Sequence, residues 1–352
     1  MTSTKRSAFV AASFLTTLLL FAGAPLRAAD FSESLGAQDW TLGLTPSSAL
    51  KANGADVPAV SQAVPAMIAA PHGAGKALNA YFISVGQGDA EYIELPNGKT
   101  ALIDGGPGNG YEPGNQPKDG TPVDPYAGGD PPIAAFITQH GITHIDYVVM
   151  THPHRDHSTG LKYVFDHVKV EHFYDTRESN PNAPEIKTMR AQVTRKGIAV
   201  THPAAGERLS WDPAVKVKVL NSCDKPGSSV TGSVLNDCSI VLKVSYDNQS
   251  ILYTGDIQED VETELVAKYG DELHADVLKV GHHGSTNAND QAFLDKVKPS
   301  VAFIEVGPNS FGHPTKETLS RLTKEGAKIV RTDKDGTQEY TIGGQAQLVA
   351  EK

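Results

Sequence analysis

The feature that most restricts the fold of this chain is a run of metal-binding residue types directly after an apolar segment. His152, His154, Asp156 and His157 fall within six residues, and Tyr147–Met150 before them is apolar and β-forming. A strand that stops here leaves a loop at a sheet edge, where side chains converge on a pocket. Imidazole and carboxylate ligands suit zinc, iron or manganese. The order and placement favour a metal site over a solvated loop that merely contains three histidines.

Two later strand ends carry the same residue types. Residues 251–256 (ILYTGD) end a predicted strand with Asp256 just after a glycine, although such a Gly-Asp pair taken alone more often marks a turn. Residues 277–285 (VLKVGHHGS) end another strand with His282 and His283. Because three strand ends all offer ligands, coincidence is a poor explanation, and the sequence predicts that the three meet in one site.

Apolar patterning predicts mixed strands with interleaved helices, which favours an α/β sandwich of two sheets covered on their outer faces. The loop Pro107–Pro132 is too long for a routine turn and indicates a functional lid or an insertion. Asp333–Gly336 faintly resembles the start of a calcium loop, but a hairpin turn is preferred. Predicted strands cover residues 77–85, 90–95, 100–103, 145–150, 215–220, 239–246, 251–253, 277–280, 301–305 and 328–331. Predicted helices cover residues 133–140, 159–167, 184–196, 258–269, 291–297 and 315–324.

The N-terminal part has a different character from the rest. In residues 1–29, Lys5 and Arg6 precede an apolar stretch and small residues follow, which is the order of a cleaved secretory signal peptide; a retained anchor is the alternative. Residues 30–75, rich in Ala, Ser, Gly and Pro, predict a flexible arm. Residues 76–352 suffice for one large domain. No later segment is apolar for long enough to cross a bilayer, so we expect a secreted or periplasmic protein.

Charge and cysteine content narrow the function further. The net charge of −10 becomes −13 when residues 1–29, with three basic and no acidic residues, are removed. Such a surface repels phosphate backbones, which excludes a general nucleic-acid coat protein but not a nuclease, because bound cations invert the local potential. In an oxidising compartment Cys223 and Cys238 predict a disulfide; two buried thiols, or Cys238 as a soft metal ligand, are the alternatives.

The metal-binding run, the later Asp256 and the later histidines together resemble the metallo-β-lactamase superfamily. The finer motifs resemble the hydrolase domain of ComEC-type competence proteins, and they occur in matching order over about residues 78–342. The resemblance implies the metallo-β-lactamase fold, a four-layer αββα sandwich with a dinuclear metal site at one edge between the sheets. These motifs are Phe82–Ala90, Ala101–Gly106, Asn236–Ser239, Gly281–Ser285, Gly312–Pro314 and Arg331–Gly336.

The resemblance also implies a ligand set for two divalent ions, zinc in the first place and manganese as the alternative. The broader superfamily has a third-motif histidine that is replaced here by the segment Asn236–Ser239, so the first metal would be completed by water or an amide oxygen. Of the pair His282 and His283, one would bind metal and the other would face substrate. The implied ligands are His152 and His154 for the first metal, Asp156, His157 and one of His282 and His283 for the second, and Asp256 as the bridge.

The implied activity is hydrolysis by a metal-bound hydroxide, with Asp156 or Asp256 orienting the attacking water. His313 is a candidate for holding a phosphoryl oxygen or protonating a leaving group, with a purely structural loop histidine as the alternative. The leading hypothesis is a phosphodiesterase or nuclease that acts on a small phosphodiester or on extracellular nucleic acid.

Two other classes of function stay open. One is a hydrolase of carbon esters or amides, such as a lactone or β-lactam, for which an apolar pocket is expected. The other is a non-catalytic, metal-containing binding module, although structural zinc sites are usually closed cages of four ligands. The net charge, and the lack of a basic stripe with interleaved aromatic residues, argue against a processive nuclease. The sequence gives no sign of an obligate protein partner.

Overall fold

The computed structural model describes residues 77–113, 117, 120–223, 233–343 and 347–350. The predicted signal peptide and arm, residues 1–75, lie outside these ranges. Within them, two mixed sheets pack face to face, and helices cover the outer face of each sheet. The predicted αββα sandwich is therefore confirmed.

The first sheet has eight strands in the spatial order β15-β14-β1-β2-β3-β4-β5-β6. Strands β3 to β6 run parallel to one another, and the other neighbours in this sheet are antiparallel. The carboxyl ends of β3 and β4 therefore lie at the same edge. The strands are β1 Leu78–Phe82, β2 Glu91–Glu94, β3 Thr100–Ile103, β4 His144–Met150, β5 Lys169–Asp175, β6 Ala199–Thr201, β14 Gln338–Ile342 and β15 Gln347–Ala350.

The second sheet has seven strands in the order β13-β12-β11-β10-β9-β8-β7. Strands β10 to β13 are parallel, and helices connect them along the chain. The ends of β10 and β11 thus share an edge, as those of β3 and β4 do. The strands are β7 Arg208–Asp212, β8 Val215–Asn221, β9 Val241–Tyr246, β10 Gln249–Tyr253, β11 Val277–Lys279, β12 Val301–Ile304 and β13 Lys328–Arg331.

Apolar side chains from both sheets form the central core. Phe82 of the first sheet stacks on Phe303 of the second, with ring centroids 3.8 Å apart. Two outer cores lie between the sheets and their covering helices. The described helices are α1 Ile133–Gln139, α2 Arg155–Ser158, α3 Leu161–His167, α4 Glu185–Arg195, α5 Ser233–Asp237, α6 Glu259–Tyr269, α7 Gln291–Val297, α8 Lys316–Lys324 and α9 Thr332–Asp335, with 3-10 turns at Gly270–Leu273 and Gly281–Gly284.

Most predicted elements are present, with ends shifted by a few residues, but one local prediction is wrong. Residues 333–336 do not form a hairpin turn: residues 333–335 belong to the short helix α9 and Gly336 follows its end, because β13 and β14 lie in different sheets and the chain crosses between them. The predicted disulfide is confirmed, since Cys223 and Cys238 are bonded and their Cα atoms lie 4.7 Å apart. Cys238 is therefore not a metal ligand. In the described ranges, no helix combines the length and apolarity needed to span a bilayer.

Candidate metal centre

Three strand ends meet around the carboxylate of Asp256, which follows β10. Four imidazoles point their Nε2 atoms toward its Oδ2: His157 at 3.2 Å, His283 at 3.5 Å, His152 at 3.8 Å and His282 at 3.9 Å. The ends of β4 in one sheet and of β10 and β11 in the other thus form one site, as the sequence predicts.

The remaining candidate ligands divide this cluster into two halves that share Asp256. Asp156 Oδ2 lies 3.5 Å from His283 Nε2, while His154 Nδ1 lies 3.0 Å from His152 Nε2. Local backbone geometry produces this division on the β4 side, where His154 is extended and Asp156 lies in the first turn of α2. All the predicted ligands are therefore brought together.

The histidine pair after β11 contributes two rings rather than one. His282 and His283 both have left-handed backbone angles, with φ of 49° and 52°. This conformation is uncommon outside glycine, and here it lets neighbouring residues direct both rings to Asp256. His283 lies with Asp156, and His282 Nε2 lies 3.3 Å from the amide nitrogen of Asn236.

His157 is oriented by a carboxylate that the sequence analysis did not assign to the site. Its Nδ1 lies 2.8 Å from Asp104 Oδ2, and Asp104 also accepts hydrogen bonds from the backbone nitrogen and the hydroxyl of Thr151. A histidine held in this way through one nitrogen presents the other to a metal. Asp104 directly follows β3, as Asp256 follows β10, and that placement is the signal that identifies it.

His283 is held in the same manner by groups behind the site. Its Nδ1 lies 2.9 Å from the carbonyl of Glu305 and 3.2 Å from Asp89 Oδ1. The buried ammonium of Lys279 pairs with Asp89 and donates to the carbonyl of Gly255 at 3.1 Å. Burial opposes the charge of Lys279, but Asp89 and Asp256 outweigh it and raise its pKa. Sequence analysis gave neither Asp89 nor Lys279 a role.

Ser239 joins the ring of His152 to the backbone of the bridging residue. Its hydroxyl lies 3.3 Å from His152 Nδ1 and accepts a hydrogen bond from the nitrogen of Asp256 at 3.0 Å. Gly255 has a φ of 52°, and a Cβ on it would lie 2.8 Å from this hydroxyl. A side chain there would displace the serine, so the close approach requires glycine.

The donor atoms at the centre fit a divalent cation. The Nε2 atoms of His157 and His283 and the Oδ1 of Asp256 are buried and have no hydrogen-bond partner in the described part of the chain. Burial alone would lower the pKa of His283, but Asp256 and Asp89 raise it to about 10. A metal bound here would displace any protons from these rings and would balance the charge of the carboxylates.

The centre opens into a cavity of about 660 Å³. His313 lines it, and its ring centroid lies 5.4 Å from that of His282. Burial, followed by the neighbouring His282 and His283, lowers the pKa of His313 to about 4. Tyr111, from the long loop 107–132, also lines the cavity; burial and its neighbour Asp156 raise the pKa of its hydroxyl. No sequence signal pointed to this tyrosine.

The amino-acid sequence of the chain is similar to those of curated bacterial proteins. The chain is 28% identical over 262 residues to ComE operon protein 3 of Bacillus subtilis (strain 168), an alignment that covers 73% of this chain and 32% of that protein. It is 27% identical over 220 residues to competence protein ComA of Neisseria gonorrhoeae, covering 60% and 27%. The chain thus spans at most about a third of the length of these curated relatives.

The chain also matches a solved structure and a family model. CmlA, a diiron β-hydroxylase from Streptomyces venezuelae, superposes with a TM-score of 0.47 at 13% identity, covering 77% of this chain and 54% of that one. The family model of the metallo-beta-lactamase superfamily matches residues 83–306, which include the ends of β4, β10 and β11. The chain therefore belongs to the metallo-beta-lactamase superfamily.

Proposed function

We propose that this protein is a metal-dependent phosphodiesterase with two divalent metal ions, zinc or manganese. The observation that carries the proposal is the convergence of two sets of ligand atoms on the shared carboxylate of Asp256, at the base of an open cavity. A structural metal site is usually a closed cage, whereas this centre borders a space large enough for a substrate.

In this proposal each half of the cluster holds one ion. The geometry supports His283 as the histidine of the second site and His282 as the third histidine of the first, in place of the one that Asn236–Ser239 replaces. A metal bound here would supply Lewis acidity and lower the pKa of a water molecule. The proposed ligands are His152, His154 and His282 for the first ion, Asp156, His157 and His283 for the second, and Asp256 for both.

Residues of the chain itself would orient the substrate. Asp156 and Asp256 border the cavity and can accept a hydrogen bond from an attacking water. His313 lines the same wall, and its buried Nδ1 has no partner among the described residues, so it can hydrogen-bond to a substrate oxygen. Acting with the metal ions, a hydrogen bond donated by His313 would stabilise negative charge that develops on a phosphoryl oxygen.

Two observations favour a phosphodiester over a carbon ester or amide. The wall of the cavity carries amides and hydroxyls beside its apolar surface, and these groups can bind the oxygen atoms of a phosphodiester. One curated relative is named a competence protein, and we take this name as support for a phosphodiester substrate. The preference within phosphodiesters is a separate question, because this chain corresponds to only part of those relatives.

The first experiment is hydrolysis of bis-p-nitrophenyl phosphate by the purified chain loaded with zinc or with manganese. We expect turnover that is lost in His154→Ala and retained in His144→Ala, a matched control at an exposed histidine that bonds to Glu171. Cleavage of a lactone or β-lactam without phosphodiester turnover would favour the carbon-ester class. A metal-loaded protein that cleaves neither would favour a binding module.

We also propose that the protein works outside the cytoplasm, with residues 1–29 removed as a signal peptide and residues 30–75 as an arm. The Cys223–Cys238 disulfide supports an oxidising compartment. Mass spectrometry of the protein recovered from the periplasm or medium of an expressing bacterium tests this: an N-terminus close to residue 30 is expected. An intact N-terminus on protein that stays in the cytoplasm would contradict it.

A further inference from the structure

Outside the metal cluster, the wall of the cavity is made largely of uncharged groups. The polar side chains that line it there are mostly amides and hydroxyls, among them Asn180, Asn182, Ser285, Thr286 and Asn287. Arg155 is the one arginine or lysine among the described lining residues. A polyanionic substrate would therefore depend on this arginine for any charge contact away from the metals.

Arg155 is not available for such a contact. It is 6% exposed, and its guanidinium donates to Glu185 from Nε at 2.6 Å and from Nη2 at 3.3 Å. It also donates to the carbonyls of Pro117 at 3.2 Å and Thr121 at 3.1 Å. These bonds tie the long loop to α2 and α4 and occupy the guanidinium, so Arg155 has a structural role.

A neighbouring cavity adds no cation among the described residues that line it. A second cavity of about 520 Å³ shares His313 with the first, and its charged lining residue among the described ones is Asp333, which is paired with Arg331 at 2.7 Å. Proteins that bind single-stranded nucleic acid track its backbone with a positively charged groove. The chain as a whole has a net charge of −10. In these two cavities, the described lining residues therefore offer flanking phosphates no free cation.

The mouth of the cavity does offer uncharged contacts. The side chains of Asn182 and Asn287 show no hydrogen bond to the described residues and can bind hydroxyls. Phe311 is 52% exposed, which is unusual for so large an apolar side chain. Its loop is ordered, because Asn309 Oδ1 accepts hydrogen bonds from three successive backbone nitrogens, those of residues 311 to 313. The exposed ring lines the cavity and can contact a ring or another apolar group of a substrate.

We infer that the substrate is a phosphodiester with a single negative charge and uncharged groups on both sides, and that it is not a polynucleotide. This inference rests on the phosphodiesterase function proposed above. The metal ions would bind the single phosphate, Asn182 and Asn287 would bind hydroxyl-bearing groups, and Phe311 would contact a ring. Affinity would then depend little on salt, because few counterions are released on binding.

The test compares the dinucleotide TpT, which has a single phosphodiester and no flanking phosphates, with the oligonucleotide dT20, whose phosphodiesters are flanked by further nucleotides. For the metal-loaded wild-type protein we expect kcat/KM per phosphodiester to be at least as high for TpT as for dT20. We also expect neither value to change appreciably between 50 and 200 mM NaCl. Faster cleavage of each bond in dT20, or a steep fall of its kcat/KM with salt, would overturn the inference.

A variant that adds the missing cations sharpens this test. In Asn182→Lys/Asn287→Lys, two new phosphate contacts should give kcat/KM for dT20 a salt exponent of about −1.4, since each contributes about −0.7 on single strands. Between 50 and 200 mM NaCl this corresponds to a fall of about 7-fold. The matched control Ala191→Lys/Ser210→Lys adds the same charge at exposed positions outside the cavity lining and should keep the flat wild-type profile. A flat profile in the cavity variant would contradict the placement of flanking groups at these asparagines.

The role of the aromatic ring has its own test. Phe311→Ala should lower kcat/KM for TpT by about 10-fold, within the range expected for loss of a stacked base, and should affect glycerophosphoglycerol, a phosphodiester without a ring, less. Equal losses on both substrates would overturn the role of Phe311. Turnover of bis-p-nitrophenyl phosphate keeps these outcomes separate from the proposed function. If it is absent, the phosphodiesterase itself fails; if it is present and dT20 is preferred, only the substrate class fails.

Discussion

A buried carboxyl behind the histidine pair should make the stability of this protein depend on pH. Glu262 of α6 is 1% exposed, and its two oxygens accept hydrogen bonds from the backbone nitrogens of Asn289 and Asp290, at 2.6 and 2.8 Å. The side chain of Asn289 in turn brackets Gly281, bonding to its nitrogen and its carbonyl at 2.9 Å each. Glu262 therefore helps to fix the turn that carries both histidines.

Burial raises the pKa of Glu262 from 4.5 to about 7, against the opposing effect of the two backbone hydrogen bonds. Below pH 4.5 the carboxyl is protonated in both folded and unfolded protein. Between pH 4.5 and 7 the unfolded chain releases this proton while the folded protein retains it, so the free energy of unfolding falls as pH rises. With these two pKa values, the loss between pH 5 and pH 8 is about 2.5 kcal/mol.

The assay is urea unfolding of the wild type and Glu262→Gln at pH 5 and pH 8, both without metal and in excess chelator. Glutamine loses one acceptor, which costs stability at either pH, so the measured quantity is the change in the difference between the two proteins. We expect the variant to gain about 2.5 kcal/mol relative to wild type between pH 5 and pH 8. Glu264→Gln, an exposed change on the same helix, should show no such gain. A pH-independent difference for Glu262→Gln would show that the carboxyl is ionised when folded and that its hydrogen bonds outweigh burial.

Three further changes test the centre. Lys279→Met should lower the free energy of unfolding by about 3–5 kcal/mol, because Asp89 is left buried without its partner. Adding Asp89→Asn to this variant should recover part of the lost free energy in urea titrations. Purely additive losses of the two changes would contradict the pairing. His282→Ala should lower the metal content of dialysed protein from two ions toward one by elemental mass spectrometry, and unchanged content would remove it from the first site. Asp104→Asn should weaken metal binding by about 10- to 100-fold in chelator competition, because His157 loses its carboxylate partner; unaltered affinity would refute that role.

Much of the centre could be predicted from sequence because its ligands sit at the ends of apolar strands. His152 follows β4 and Asp256 follows β10, and parallel neighbours place such ends at one edge. The directions of the His282 and His283 rings could not be predicted. They depend on two consecutive residues with left-handed backbone angles, and no local sequence pattern specifies that conformation. The sequence offered one ligand and one substrate-facing ring, whereas the structure turns both rings to Asp256.

Other features depend on contacts between distant segments. Asp89 lies in the loop between β1 and β2 of the first sheet and Lys279 lies in β11 of the second, so only the packing of the two sheets pairs them. The segment 333–336 resembles a hairpin turn because strands flank it on both sides, but sequence does not show that those strands belong to different sheets. Local patterns thus identified most elements, while the assignment of each element to its sheet required the tertiary structure.

The pairing of β1 with β14 has a consequence for how the protein is made. Leu78 lies opposite Ile342 and Phe82 opposite Gln338, so an inner strand of the first sheet finds its partner near the far end of the domain. The ribosome synthesises the chain from the N-terminus. One edge of β1 therefore stays unpaired until nearly the whole domain has been synthesised. Contacts so distant in sequence slow folding. We expect a long-lived open nascent chain, a form suited to passage through a secretion channel and dependent on chaperones that cover unpaired strand edges.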